Sequence, residues 1–166
     1  AALHALHAGS LAPSALFAAV NAGLHNVRVA ARLQALGGAP PLFVDVGHNP
    51  QAARALAEWL DTQPPGNVHA VYGALADKDV SGVLAALGPR IDYWHLAGLE
   101  QASPRGLAVA ALAAIVRETL PQAHFDVHGQ VAAALAAARQ ATPPAGRILA
   151  FGSFFVASAV IAEQST

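Results

Sequence analysis

The chain has 166 residues, with nine basic and ten acidic side chains for a net charge of −1, no cysteine, 55% hydrophobic residues and 11% charged residues. That length suits one domain, or one domain with a short appendage, and the apolar content excludes disorder for the bulk. The balanced charge excludes the basic footprint of a nucleic-acid binder, and the missing cysteines exclude disulfides, thiolate zinc sites and cysteine nucleophiles. Much of the apolar excess is alanine, and no window of about 18 residues lacks both charges and turn residues, so no membrane span is expected. The chain reads as soluble, with cytoplasm as the default compartment. Ala1 to Ser10 carry no methionine, no basic n-region and no long apolar run, so the chain is expected to be a fragment or a processed product.

Leu3 to Ala8 and Pro13 to Leu24 read as two short helices with no strand between them. They cannot build a core alone, so they pack on the α/β remainder of the chain or belong to a preceding domain. Gly37, Gly38, Pro40 and Pro41 mark a linker. Pro41 to Val46 (PLFVDV) is then an apolar strand, and Asn49-Pro50 opens an alanine-rich helix to about Leu60, with proline at a helix-initiating position.

The same strand-loop-helix unit recurs. Val68 to Leu75 precedes Asp79 to Leu87, and Ile91 to Ala97 precedes Gly106 to Leu120. His124 to His128 precedes Gln130 to Gln140, and Arg147 to Phe151 precedes Phe154 to Glu163. Strands separated by helices demand crossover connections, so the fold class is α/β. The expected architecture is a doubly wound, mostly parallel, Rossmann-like sheet with helices on both faces, preceded by the two short helices. Ligands bind such sheets beyond the carboxyl ends of the strands, where the strand order reverses. The loops at 45–50, 75–79, 97–105 and 151–154 are therefore the ones to inspect.

In Asp45-Val46-Gly47-His48-Asn49-Pro50 a strand ends in a carboxylate and is followed by an imidazole, an amide and a helix start. Asp45 suits ribose hydroxyls, while His48, Asn49 and the amides of the helix N-terminus suit phosphate or carboxylate oxygens. The competing reading is that Asn49 only caps the helix and His48 is a solvated loop residue. In Gly73-Ala74-Leu75-Ala76-Asp77-Lys78-Asp79, Lys78 is the only lysine of the chain. It suits a ligand carboxylate or phosphate, or else it belongs to a solvated turn capped by Asp77 or Asp79. In Phe151-Gly152-Ser153-Phe154 a glycine allows close backbone approach and Ser153 can donate from the end of the last strand.

Other constellations fail. The only lysine follows Leu-Ala-Asp, so there is no P-loop, and neither G-x-G-x-x-G after the first strand nor a G-x-S-x-G elbow occurs. His124-Phe125-Asp126-Val127-His128 would put His, Asp and His on one strand face as a metal edge, but a half-exposed strand alternates in the same way. No metal is assigned to this chain on that pattern.

DVGHNPQAARAL, YGALADKDVSGVLAAL, LAGLEQASPRGLAVAAL and the late FGSF, in that order and spacing, together resemble the C-terminal domain of the bifunctional dihydrofolate synthase/folylpolyglutamate synthases, within the Mur ligase superfamily. The resemblance runs from about residue 28 to the end. It implies that 1–27 is the tail of a missing central ATPase domain, that 28–40 is a linker, and that 41–166 is the Mur ligase C-terminal domain. Arg32 and Gln34 match the family linker; its usual Pro-Gly is absent here, and Gly47 replaces the commonest alanine.

By that resemblance the full-length protein is an ATP-dependent amide ligase. It would use ATP and magnesium to phosphorylate the carboxylate of dihydropteroate or of a folyl-glutamate, and L-glutamate would attack the acyl phosphate. Arg32, Asp45, His48 and Asn49 are implied on the ATP side, and Lys78 and Ser153 on the glutamate side, with His48 the one candidate for a catalytic role. The fragment, lacking the P-loop, is expected to be inactive alone and to hold no cofactor. Two alternatives stand beside this reading: another Mur-type ligase with a different amino acid or acceptor, and a non-catalytic Rossmann-like binding module.

Overall fold

The computed structural model describes residues 32–164. The two expected helices in 1–26 and the beginning of the 28–40 segment lie outside the described residues. The strands are β1 (Gln34–Gly37), β2 (Leu42–Val44), β3 (Val68–Tyr72), β4 (Tyr93–Ala97), β5 (Phe125–His128) and β6 (Arg147–Phe151). The helices are α1 (Pro50–Asp61), α2 (Val80–Leu87), α3 (Val109–Thr119), α4 (Val131–Ala141) and α5 (Phe154–Glu163). The strands form one sheet in the order β1-β2-β6-β3-β4-β5. Every neighbouring pair is parallel except β1 and β2.

Parallel strands covered on both faces have no wet side, and β3 and β6 are buried at every position. Alternate residues supply two cores. Tyr72, Trp94, Leu149 and Phe151 pack beneath α1, α2 and α3, whereas Val71, Ala97, Ile148 and Ala150 pack beneath α4 and α5. The helices are amphipathic to match: Ala53, Leu56, Ala57 and Leu60 of α1, and Val131, Ala134, Leu135 and Ala138 of α4, repeat at i, i+3, i+4 and i+7. The expected doubly wound sheet with helices on both faces is what forms.

The connections β2–α1–β3, β3–α2–β4 and β4–α3–β5 keep their helices over one face, while α4 lies over the other and carries the chain back. That return inserts the last strand, β6, between β2 and β3. The winding therefore reverses where β2, β6 and β3 lie side by side.

Within 28–40, the segment expected as a linker, Gln34–Gly37 forms the antiparallel edge strand β1. The third helix begins at Val109 rather than Gly106, because 106–107 pair with the loop after β3: Gly106 bridges Leu75, and the Leu107 N–H donates to the Ala74 carbonyl at 3.0 Å. A turn at Gly88–Arg90 delays β4 to Tyr93. Among the described residues no helix is long and apolar enough to cross a membrane.

Candidate functional site

Three loops leave the carboxyl ends of β2, β6 and β3 at the point where the winding reverses, and each begins a helix with a side-chain cap. Asn49 Oδ1 accepts from the Ala52 N–H at 2.8 Å, Asp79 Oδ1 from the Gly82 N–H at 2.8 Å, and Ser153 Oγ from the Val156 N–H at 3.2 Å. Such caps satisfy helix amides that would otherwise lack partners. Asp79 rather than Asp77 caps α2, which leaves Asp77 outside the helix.

The loops converge on a cleft of about 270 Å³ lined by His48, Leu75, Lys78, Arg105, Ser153, Phe154 and Phe155. His48, Lys78 and Ser153, which come from three segments far apart in sequence, thus share one cavity. Asp45, Asn49 and Arg32 do not line it, although all three sit at the same sheet edge. β1 runs antiparallel to β2, and its first residue, Gln34, pairs with Val44 at the end of β2. The segment just before β1 is therefore carried to the carboxyl edge, and exposed Arg32 with it.

Asp45 holds that corner together. It is 7% exposed; its Oδ2 accepts from the Leu33 N–H at 2.7 Å and its Oδ1 from the Gly47 N–H. The carboxylate thus ties the strand preceding the cleft to the turn that presents His48. His48 Nδ1 lies 3.0 Å from the Val46 carbonyl oxygen, which can only accept, so that nitrogen carries the proton. In the neutral ring the lone pair is then on Nε2.

The cleft's charge comes from Lys78, Arg105 and Asp77. Asp77 Oδ2 is 2.6 Å from Arg105 NH2 and 3.2 Å from Lys78 Nζ. Hydrogen bonds from Arg105 and then Lys78 hold the Asp77 carboxyl below the usual carboxylate range. Two cations against one carboxylate leave that trio with one positive charge, on a cleft whose apolar walls are Leu75, Phe154 and Phe155. Phe154 and Phe155 are 65% and 38% exposed, unusual for such large apolar side chains.

Sequence reasoning missed Arg105, which lies 28 residues from Asp77. Its loop is pinned by the Ala76 N–H donating to the Arg105 carbonyl at 2.9 Å. The one local signal was the Ser103-Pro104-Arg105-Gly106 turn. A Cβ on Gly106 would lie 1.9 Å from the Leu99 carbonyl oxygen, so this glycine is what lets the loop fold back beneath Arg105.

A second polar cluster occupies the α4 side of the sheet. The residues that converge there are His95, Asp126 and His128, not His124, Asp126 and His128. β4 and β5 pair in parallel with His95 opposite Asp126, so the neighbouring strand supplies the third group. His69 lies behind His95. Burial is the main cause that holds both imidazoles below their usual range, so both favour the neutral form.

A family model described as Mur ligase, glutamate ligase domain, matches residues 31–154. The dihydrofolate synthase/folylpolyglutamate synthase of Mycobacterium tuberculosis is 42% identical to this chain over 96 residues, 57% of this chain and 19% of that protein. The structure of Escherichia coli FolC in complex with DHPP and ADP superposes with a TM-score of 0.78 at 31% identity, covering 98% of this chain and 37% of that one. A bifunctional folylpolyglutamate synthase/dihydrofolate synthase with Mn, AMPPNP and L-glutamate bound gives 0.77 at 34% identity, covering 95% and 36%. The chain thus spans about a fifth of the length of the curated relatives it matches and a little over a third of these solved chains. The sheet order, the loops at its carboxyl edge and the extent of the family match agree with the resemblance read from DVGHNP, LADKD and FGSF: this chain belongs to the Mur ligase family, as its glutamate ligase domain.

Proposed function

We propose that this domain is the glutamate-receiving part of an ATP-dependent ligase that joins L-glutamate to dihydropteroate or to folyl-glutamates. The observation that carries this reading is the cleft at the reversal of the sheet, where Lys78, Arg105, His48 and Ser153 meet around one net positive charge. An amino acid with two carboxylates suits that charge, and charge-assisted hydrogen bonds are the stronger kind. The relatives support the same direction, since the solved structures named above hold L-glutamate, AMPPNP and Mn, or ADP and DHPP.

In the proposed reaction a carboxylate oxygen of the acceptor attacks the γ-phosphorus of ATP, ADP leaves, and an acyl phosphate forms. The amine nitrogen of glutamate then attacks the acyl carbon, phosphate leaves, and an amide bond results. Lys78 and Arg105 orient glutamate through its carboxylates, and the Ser153 hydroxyl donates beside them. His48 Nε2 is the atom of this chain suited to take the amine proton. Arg32 and the Asn49 amide face the nucleotide side, and Asp45 serves it by fixing the loops that carry Arg32 and His48. ATP and magnesium supply the activating phosphoryl chemistry, with the metal ligands and the P-loop in the preceding domains.

Shielding an acyl phosphate from water takes two surfaces that close on each other. This domain supplies one and a cytoplasmic partner ATPase domain in the same polypeptide the other, so the chain alone turns nothing over. Joining residues 31–166 to the preceding domains of Escherichia coli FolC tests the reading. Glutamate-dependent ADP release with dihydropteroate or folate, absent from either part alone, is expected. A folded chimaera that releases no ADP with any folate acceptor, or turnover by this chain alone, overturns it.

A further inference from the structure

The sheet carries a second constellation, on β4 and β5, made of residues that do not line the cleft. His95 stands mid-strand on β4, and Asp126 and His128 stand two apart on β5, the spacing that puts side chains on one face. His95 Nδ1 lies 3.0 Å from Asp126 Oδ1, and His128 Nε2 lies 2.9 Å from the same oxygen. Neither contact has the alignment of a hydrogen bond: all three atoms are shielded from solvent yet lack a hydrogen-bond partner among the described residues. Buried polar atoms are normally satisfied, so three orphans that crowd one point call for an explanation. One donor atom from each of the three side chains lies within 4.8 Å of the others, an arrangement a cation between them would complete.

We propose that His95, Asp126 and His128 bind one zinc-class divalent ion that fastens the edge strand β5 to β4. Two imidazoles and a carboxylate are a donor set of first-row transition metals, zinc and ferrous iron among them, and not the all-oxygen set of magnesium or calcium. Bonds of ~2.0–2.1 Å in tetrahedral geometry set ligand atoms ~3.3 Å apart. The two imidazole–carboxylate separations, 3.0 and 2.9 Å, fall a few tenths short of that and the separation of the two ring nitrogens is no more than 4.8 Å, so the ion is admitted by adjustment of the partly exposed Asp126 and His128 side chains. The side chain of His95 is 1% exposed, whereas those of Asp126 and His128 are 37% and 17% exposed, so the cluster lies just beneath the surface with its three donor atoms turned inward.

The support behind the ligands fits as well. The other ring nitrogen of His95, Nε2, is 3.1 Å from His69 Nδ1. If Nε2 donates to His69, the His95 tautomer is fixed with its lone pair on Nδ1, toward the proposed ion. Metal-binding histidines regularly have their second nitrogen held in this way. Stacking of His69 on Tyr93, at a centroid distance of 5.6 Å, keeps that partner in place.

The test is calorimetric titration of the full, metal-stripped chain with Zn²⁺, paired with Co²⁺ titration followed by visible absorption. One equivalent bound, with a rise in melting temperature, is expected. Asp126→Asn and His128→Ala, both at partly exposed positions, are each expected to weaken binding by at least ten- to a hundredfold, the range that loss of even a supporting partner gives. His124→Ala is expected to leave it unchanged. The absence of stoichiometric binding by the folded chain, or binding that survives both substitutions and so belongs to other histidines, overturns the proposal.

Discussion

Replacing Gly152 with alanine strikes the hinge between β6 and the cleft, and the structure sets the size of the effect. Gly152 has φ +111°, a region L side chains rarely adopt. A Cβ there would lie 2.4 Å from the Gly73 carbonyl oxygen and 2.6 Å from Tyr72 Cε2. Holding a non-glycine residue in such a conformation costs ~1–3 kcal/mol. The clash adds to that cost, because the nearest atom is backbone at the end of buried β3 and cannot rotate away. Alanine recovers ~0.4–1 kcal/mol by restricting the unfolded chain. The net expectation is a loss of ~2–4 kcal/mol, a large share of an ordinary domain's stability. Urea unfolding followed by tryptophan fluorescence reads it, with Trp94 fully buried in the folded protein. Two controls separate the contributions. Gly37→Ala has φ +77° and nothing within 4 Å, so it isolates the backbone cost; Gly129→Ala has neither burden and should change stability by less than ~0.5 kcal/mol. If Gly152→Ala is no worse than Gly37→Ala, the close approach of the β6 and β3 loops is not what holds the cleft's shape.

Asp45→Asn leaves one of the Leu33 and Gly47 amides without its acceptor and is expected to destabilise by ~1–3 kcal/mol, with faster hydrogen exchange at those two amides before the rest of the sheet. Asn49→Ala removes the α1 cap for ~1 kcal/mol, whereas Asn49→Asp keeps the cap and nearly all the stability in urea unfolding. In the complete ligase, Lys78→Ala is expected to raise the glutamate KM about ten- to a hundredfold, the equivalent of a lost charge-assisted pair of ~1.5–3 kcal/mol, with a smaller change for ATP. Steady-state kinetics with each substrate varied separately checks it, and an unchanged glutamate KM would return Lys78 to the role of a turn residue paired with Asp77.

The sheet was legible because its determinants are local. Apolar runs such as RILAF and VHAVY bounded by turn residues, and alanine-rich stretches with an i, i+3, i+4 stripe, announce buried parallel strands and covering helices without reference to anything distant. β1 was not legible, because QALG is four residues long with alternately half-buried and exposed positions and lacks a strand pattern. Its state is decided by β2, which offers it an edge, and by Asp45, which anchors Leu33. Nor could the sequence place β6 between β2 and β3, since each connection is compatible with several strand orders. The same limit hid the partners of known candidates: Asp77 was visible but Arg105 was not, and Asp126 and His128 were visible while His95 passed as one polar residue in an apolar strand.

The two readings of the loop residues, as helix caps and as ligand contacts, do not exclude each other. Each side chain has two polar functions and the fold uses one. Asn49 gives its carbonyl oxygen to Ala52 and keeps amide donors; His48 commits Nδ1 to Val46 and keeps Nε2; Ser153 accepts from Val156 and keeps its hydroxyl proton. The atom used by the fold also fixes where the other one points, so the cap orients the polar atom that is left over for a ligand. Strand ends in a parallel sheet can therefore serve stability and binding with the same few residues. Polar residues directly after an apolar run therefore remain candidates for a ligand even where the first explanation for each of them is structural.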